Sequence, residues 1–364
     1  MQALKRAGHE VYGVSPTDRY AVKLEQAGVP HIPITMNRKG KNPLEDAVLT
    51  YRLHRLFRQH SPDLVLAYTI KPNVYCSLAA RPLGIPVVNT VPGLGSLFVR
   101  RSPTTSVAKL LYRTALRHSH AVLFQNEEDL RCFVEEGLVA PEVAKRVPGS
   151  GVDTEFFAPA PRSRRMGPFA FLFAGRFLRD KGIRELAEAT RMLKSRGLEV
   201  ETRLLGMFEP SGSEAVTREE VSGWVETGDV VHLGEADEVV GIMREADCVV
   251  LPSYYGEGVP RTLLEAASME KPLIAADGPG SRDIVEDGRN GFLCRPRDPE
   301  DLARAMQKML GLSEEERSAM GKAGRRRVQT QFDEKIVVRR YMEEVQGLMA
   351  GRYAGRNGVA SSTS

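Results

Sequence analysis

Two segments carry the residue types that group-transfer chemistry needs. The first is Tyr254-Tyr255-Gly256-Glu257-Gly258-Val259-Pro260-Arg261-Thr262-Leu263-Leu264-Glu265. An apolar run, CVVLP, precedes it, so a strand empties into a glycine loop. Pro260 then opens a helix, where a residue without an N–H fits. The free N–H groups at such a helix start bind anions, and a diphosphate matches them. Glu257 on the loop and Glu265 roughly a turn and a half into the helix can face one ligand, accepting hydrogen bonds from sugar or ribose hydroxyls. Two glutamates near a helix start also favour the macrodipole, which is the competing explanation for either one taken alone.

The second segment is Gly175-Arg176-Phe177-Leu178-Arg179-Asp180-Lys181-Gly182, again after an apolar run, FAFLFAG. Arg176 therefore sits at the carboxyl end of a sheet, where ligands of open α/β folds bind. Lys181 falls where a helix begins and the dipole disfavours a cation. A residue set against its local preference points to an external anion, and a forked Arg with a point-charge Lys would neutralise a departing diphosphate. A solvated basic turn is the alternative for Lys181 by itself.

Fainter signals lie in the first half. Lys71-Pro72-Asn73 and Gly93-Leu94-Gly95 end predicted strands on the cleft side, which makes Lys71, Asn73, Gly93 and Gly95 candidates for acceptor contacts; the glycines serve tight turns equally well. Arg100, Arg101, Lys109, Arg113 and Arg117 form a basic stretch, the last three at i, i+4, i+8 on one helical face with Val107, Leu110 and Leu111 alongside. Such a stripe is either a solvated face or a surface for anionic head groups. His118 and His120 read as capping or core residues.

Composition removes other classes. Lys+Arg 51 against Asp+Glu 47 leaves +4 over 364 residues, too weak a field to argue for nucleic acid. The four cysteines, Cys76, Cys132, Cys248 and Cys294, form no CxxC pair, which excludes a disulfide framework and fits a reducing cytosol. The longest uncharged run, between Arg81 and Arg100, holds Pro82, Pro86 and Pro92 and is no membrane span. No signal peptide is visible in MQALKRAGH, and no GxxxxGK[ST], GxSxG or HExxH motif occurs.

The elements that must position these residues alternate along the chain. Short apolar runs at 10–14, 31–34, 64–67, 87–89, 121–125 and 146–147 predict strands in the first half, with helical patterns at 20–26, 44–59, 74–81, 107–117 and 127–136 between them. The second half predicts strands at 170–174, 201–205, 230–233, 248–251 and 273–275, and helices at 182–195, 238–245, 260–269, 299–310 and 313–331. Pro148-Gly149-Ser150-Gly151 interrupts the rhythm as a linker. Strand and helix in alternation mean βαβ units, hence an α/β protein of two doubly wound halves facing across a cleft. The chain opens in a helical stretch, 2–7, where such a domain has a strand; its absence would leave a gap between neighbouring strands, and a truncated or misassigned start is the expectation.

GRFLRDKG, the stretch from HLGEADEV to CVVLPS, and EGVPRTLLEAASMEKPLIAADGPGSRDIVEDGRNGF closely resemble the donor domain of retaining glycosyltransferases of family four, which have the GT-B fold of two Rossmann-like domains. TIKPNVYCSLAARPLGIPVVNTVPGLGSLF and PGSGVDTEFF look like the bacterial members that extend polyprenyl-diphosphate-linked saccharides. The resemblance covers residues 1 to 350. It implies an acceptor domain at 1–150, a nucleotide-sugar domain at 151–333 and a helix at 334–350 packing back on the first domain; the Gly- and Ser-rich composition of 351–364 separately predicts a disordered tail. It makes Arg176 and Lys181 ligands of the nucleotide diphosphate, Glu257 the contact to the transferred sugar, Gly258 and Val259 backbone contacts beside it, and Glu265 the ribose ligand. It further implies a UDP-sugar as substrate, a lipid-linked saccharide acceptor, no cofactor, no metal ligand, and a peripheral enzyme at the cytoplasmic face of the membrane. An inactive GT-B scaffold, a soluble-acceptor glycosyltransferase and a sugar-nucleotide epimerase are the rivals; EGVPRTLLE argues against the last.

Overall fold

The runs FAFLFA and CVVL are apolar at every position, a pattern that suits strands covered on both faces rather than one. Both become central strands. The structure, a computed structural model, describes all residues except 19, 38, 39, 41, 96–102, 161–166, 210–214 and 361–364, with backbone only at 103, 104 and 351–360. The first half runs α1 (Gln2–Arg6), β1 (Gly13–Ser15), α2 (Ala21–Gln26), β2 (His31–Pro33), α3 (Pro43–His60), β3 (Val65–Tyr68), α4 (Ile70–Ala80), β4 (Val87–Val91), α5 (Pro103–Leu116), β5 (Ala121–Phe124), α6 (Glu127–Glu135) and β6 (Ala144–Arg146). The second runs β7 (Phe169–Ala174), α7 (Ile183–Ser195), β8 (Val200–Leu205), α8 (Arg218–Glu226), β9 (Val231–His232), α9 (Val240–Arg244), β10 (Cys248–Leu251), α10 (Arg261–Ser268), β11 (Leu273–Ala276), α11 (Pro279–Ile284), β12 (Gly291–Cys294), α12 (Pro299–Gly311) and α13 (Glu314–Gln331). A last helix, α14 (Glu334–Ala360), follows.

Among the described residues, every pairing between these strands is parallel. The second half forms one six-stranded sheet in the order β12-β11-β10-β7-β8-β9, so the loops after β7 and β10 emerge side by side at its centre. This is the switch point of a doubly wound sheet, where ligands bind. The first half is divided: β1 pairs only with β2, while β3-β4-β5-β6 form a separate four-stranded sheet. The interruption expected between neighbouring strands is thus present. It leaves β3 as an edge whose Val65 and Leu66 are only half-buried, whereas every residue of β4 and β5 is buried.

Several elements differ from the sequence reading. The strand Gly291–Cys294 and the helices Arg218–Glu226 and Pro279–Ile284 were absent from it. Helix α4 begins at Ile70, so Lys71, Pro72 and Asn73 occupy its first turn rather than a strand end. Pro72 is accommodated there because first-turn N–H groups have no intrahelical partner. Helix α14 continues to Ala360, ten residues into the stretch expected as a disordered tail; no proline interrupts it.

Helix α14 recrosses to the first half. Val152 N donates to Phe332 O and Glu334 N to Val152 O, both at 3.0 Å, and a Cβ at Gly151 would strike the Glu334 backbone. From that crossing Tyr341 stacks on Tyr68 and hydrogen-bonds Thr90 Oγ1 at 2.8 Å, and Leu348 joins Val88, Ala121, Leu123 and Val147 in a core cluster. Lys145 Nζ reaches Glu344 at 2.7 Å.

A second junction lies between α6 and α11. Arg282 Nη1 contacts Glu128 Oε2, and Arg146 Nη2 contacts Asp283 Oδ2, each at 3.1 Å. Beside them Asp129 is buried, and its carboxyl is pushed up to about 7, mainly by burial, with Glu128 and Asp283 adding repulsion and Asn126 opposing. A raised carboxyl pKa means that the folded state holds a proton that the unfolded state releases above its ordinary value of 3.8. Stability attributable to this group therefore falls as pH rises from about 4 to about 7 and stays lowered above that. A shift of that size is worth at most roughly 4 kcal/mol. Asp129→Asn is expected to raise the melting temperature at pH 8 and to leave it nearly unchanged at pH 4. Equal melting shifts at both pH values would contradict this.

Candidate active site

The loop after β10 is fixed by the turn after β7. Tyr254 N and Tyr255 N both donate to Asp180 O at 2.9 Å, and Ser253 Oγ donates to the same carbonyl at 3.3 Å. Gly182 permits the close approach, since its φ is +74° and a Cβ would overlap the Pro252 backbone. The result joins the two sequence motifs. Lys181 Nζ lies 2.6 Å from Glu257 Oε1 across 76 residues of chain, with the side chains 13% and 18% exposed. It also stands 5.5 Å from the Tyr255 ring centroid. A charge-assisted hydrogen bond in so dry a place is short and strong. Lys181 was expected to await an external anion; Glu257 supplies a counter-charge from within the chain.

Arg176 leaves the same loop towards the segment that follows β8, where Nη1 meets Glu209 Oε1 at 2.9 Å; its side chain is 45% exposed. The two cations thus stand on one loop but answer to different carboxylates. Helix α10 begins at Arg261, one residue later than the sequence reading, with Pro260 as its extended N-cap (φ −64°, ψ 117°). Proline has no N–H, so the Arg261 and Thr262 amides open the helix. Thr262 Oγ1 donates to Ala174 O at 3.1 Å and so ties this start to β7. Glu265 accepts from Arg261 Nε at 2.7 Å; burial raises its pKa and Arg261 opposes the shift. Nearby, burial pushes the Tyr254 hydroxyl up to about 12, and the Arg297 guanidinium lies 4.5 Å from its ring centroid.

The amides of Gly258 and Val259 do not stand free for a donor. Gly258 N donates to Pro92 O at 3.0 Å, and Val259 N donates to the Gln125 side-chain oxygen at 3.2 Å. Gly95 N returns a bond to Gly256 O at 2.8 Å. Gly93 and Gly95, proposed on the acceptor side, thus lie directly on the glutamate loop, and a Cβ at Gly93 would overlap Gly258 N. The loop is held from behind as well, where Gly280 of α11 approaches Gly258 O too closely for a Cβ.

The other first-half candidates are placed elsewhere. Lys71 pairs with Asp46 Oδ1 at 2.6 Å, and the Tyr75 hydroxyl donates to Asp46 Oδ2 at 2.7 Å. Asn73 is fully buried; its Nδ2 donates to Thr90 O at 2.7 Å, and its carbonyl accepts from Asn89 Nδ2 at 3.1 Å. It is part of the core rather than a cleft contact. In the basic stripe, Lys109 pairs with Glu136 at 2.7 Å, and Arg113 donates to the carbonyls of Glu136 and Gly137 at 3.0 and 3.1 Å. Both cations cap the end of α6, where the helix dipole favours them. Arg117 is exposed, and Arg100 and Arg101 lie outside the described residues.

Gln125, Glu209 and Gly280 went unrecognised in the sequence. Gln125 had one available signal, its position at the carboxyl end of a predicted strand.

Two family descriptions together match most of the chain. Residues 157–327 match the family described as glycosyl transferases group 1, and residues 1–149 match the glycosyl transferase 4-like domain. A Campylobacter jejuni enzyme, N,N'-diacetylbacillosaminyl-diphospho-undecaprenol alpha-1,3-N-acetylgalactosaminyltransferase, is 25% identical over 94% of this chain and 92% of its own. An Escherichia coli UDP-Gal:alpha-D-GlcNAc-diphosphoundecaprenol alpha-1,3-galactosyltransferase is 25% identical over 72% of this chain and 70% of its own. Among solved structures, a glycosyltransferase from Rickettsia africae superposes with a TM-score of 0.78 at 18% identity, covering 96% of this chain and 92% of that one. Anabaena HepE, solved with UDP-glucose, superposes with a TM-score of 0.76 at 20% identity, covering 91% and 89%. With the glutamate loop inside one matched domain and its anchors Pro92, Gly95 and Gln125 inside the other, the chain belongs to the family-four glycosyltransferases of GT-B fold and is a hexosyltransferase.

Proposed function

We propose that the chain moves a hexose or N-acetylhexosamine from a UDP-sugar, with retention, to a polyprenyl-diphosphate-linked saccharide at the cytoplasmic face of a membrane. The observation that carries this reading is the Lys181–Glu257 pair, held 2.6 Å apart in a largely buried site on the loop that leads into α10. Lys181 and Arg176 would take the diphosphate, with the Arg261 and Thr262 amides at the helix start. Glu257 would exchange its lysine for sugar hydroxyls, and Glu265 would accept from the ribose. These cations and dipoles stabilise the charge that develops as the sugar–phosphate bond breaks. The acceptor oxygen bonds to the anomeric carbon on the face the diphosphate leaves, and a phosphate oxygen takes the acceptor's proton. No protein nucleophile enters.

The acceptor class is supported by similarity along 94% of the chain to a relative named for an undecaprenol-linked substrate. No described helix is long and apolar enough to cross a membrane. Surface attachment would use α5, where Val107 and Leu110 are 58% and 61% exposed.

The test is a panel of UDP-sugars with a polyprenyl-diphosphate disaccharide in anionic vesicles, following UDP release and the anomeric configuration of the product by NMR. One donor should release UDP and retain its configuration. Wild-type release no greater than that of Glu257→Ala would leave an inactive scaffold. Equal transfer to a soluble saccharide would remove the lipid requirement, and an inverted product would remove retention.

A further inference from the structure

Three consecutive contacts fasten the glutamate loop to the other half of the molecule. Gly256 accepts from Gly95 N, Gly258 donates to Pro92, and Val259 donates to Gln125 Oε1. Glu257 is thus flanked on both sides by residues whose backbone is held by the first half, while its own carboxylate is held by Lys181 of the second half. Gln125 directly follows β5, is 7% exposed, and precedes Asn126, whose side chain caps α6 by accepting from Asp129 N at 2.8 Å. Its place is therefore set by rigid elements on either side. Val259, 5% exposed, is packed in turn against Gly149, where a Cβ would lie 2.7 Å from Val259 Cβ.

From this geometry we infer that Gln125 is a positioning residue for sugar transfer: by holding the Val259 N–H it fixes the loop that carries Glu257 when the two halves meet. The inference rests on the transferase reading above. Pro92 and Gly95 act through backbone atoms, so Gln125 is the anchor among these three that a substitution can remove. A buried N–H left without an acceptor loosens its segment, and misplacement by about 1 Å of a group that orients a reacting sugar can slow catalysis by about 100-fold. Gln125 touches neither reacting atom in this scheme, so ground-state donor binding through Lys181 and Arg176 is left in place.

Gln125→Met keeps the length and removes the acceptor. Amide hydrogen exchange and steady-state kinetics are measured on the full chain. Exchange across residues 256–259 should accelerate at least 10-fold while α6 keeps its protection, and kcat should fall at least 10-fold with the donor KM within threefold. Unchanged exchange at 256–259 overturns the anchor whether or not any donor turns over. Faster exchange with kcat within threefold of wild type overturns the positioning role and leaves the transferase reading intact. Loss of α6 protection together with kcat would assign Gln125 to folding instead. A wild type that turns over no donor refutes the function while the exchange result still decides the anchor.

Discussion

Glu257→Gln is expected to lower the rate of sugar transfer by roughly 100- to 1,000-fold, the scale seen when one preorganised polar contact to a transition state is removed. The side chain keeps its size and loses its charge. Lys181, 2.6 Å away in the wild type, is then released to the diphosphate. UDP affinity should therefore hold or rise while transfer collapses, and calorimetry beside initial rates separates the two. Alanine is the poorer probe, because it strands the Lys181 ammonium where its side chain is 13% exposed, at a cost of up to about 3 kcal/mol. Parallel loss of UDP binding and turnover in the glutamine variant would place Glu257 in ground-state binding instead.

The second large effect concerns Gly280. A methyl there would fall inside the van der Waals radius of the Gly258 carbonyl oxygen and also crowd Pro260 Cδ at 3.2 Å. Both obstacles belong to the glutamate loop, and the nearer one is backbone, so no rotamer change relieves them. Gly280→Ala is expected to destabilise the second half by about 3 kcal/mol, or to push the loop off its anchors with loss of transfer. Gly278, two residues earlier, has open space around its Cβ direction, and Gly278→Ala should be close to neutral. Chemical denaturation of the pair measures the difference. Equal stabilities would refute the packing argument.

How far the sequence reached is clear from particular elements. Uniformly apolar runs such as Phe169–Ala174 and Cys248–Leu251 revealed their strands because buried parallel strands leave no polar face. Helix α11 escaped because GPGSRD carries the composition of a loop, and β12 because a strand of four residues at a sheet edge has too little pattern to read. Pro72 concealed the start of α4 for a related reason: proline marks breaks more often than first turns. Within the site, Lys181 and Glu257 were legible as types in the right places, but their mutual pairing depends on two loops meeting across a parallel sheet. Gln125 was less legible still. Its partner is the backbone of Val259, and a side-chain-to-backbone contact across 134 residues leaves no mark on the composition of either segment.

The recrossing of α14 bears on how the molecule is made. One face of the first half's four-stranded sheet is completed by Tyr341 and Leu348, and the Thr90–Tyr341 bond spans 251 residues. On the ribosome those residues emerge only after the whole of the second-half sheet. At roughly 5–20 residues per second, the nascent first half waits on the order of 10–50 s with that apolar sheet face uncovered. During this interval it is a substrate for chaperones and for self-association, and it cannot reach its final stability until synthesis of the second half is essentially complete. The terminal helix therefore makes the two halves interdependent during biogenesis.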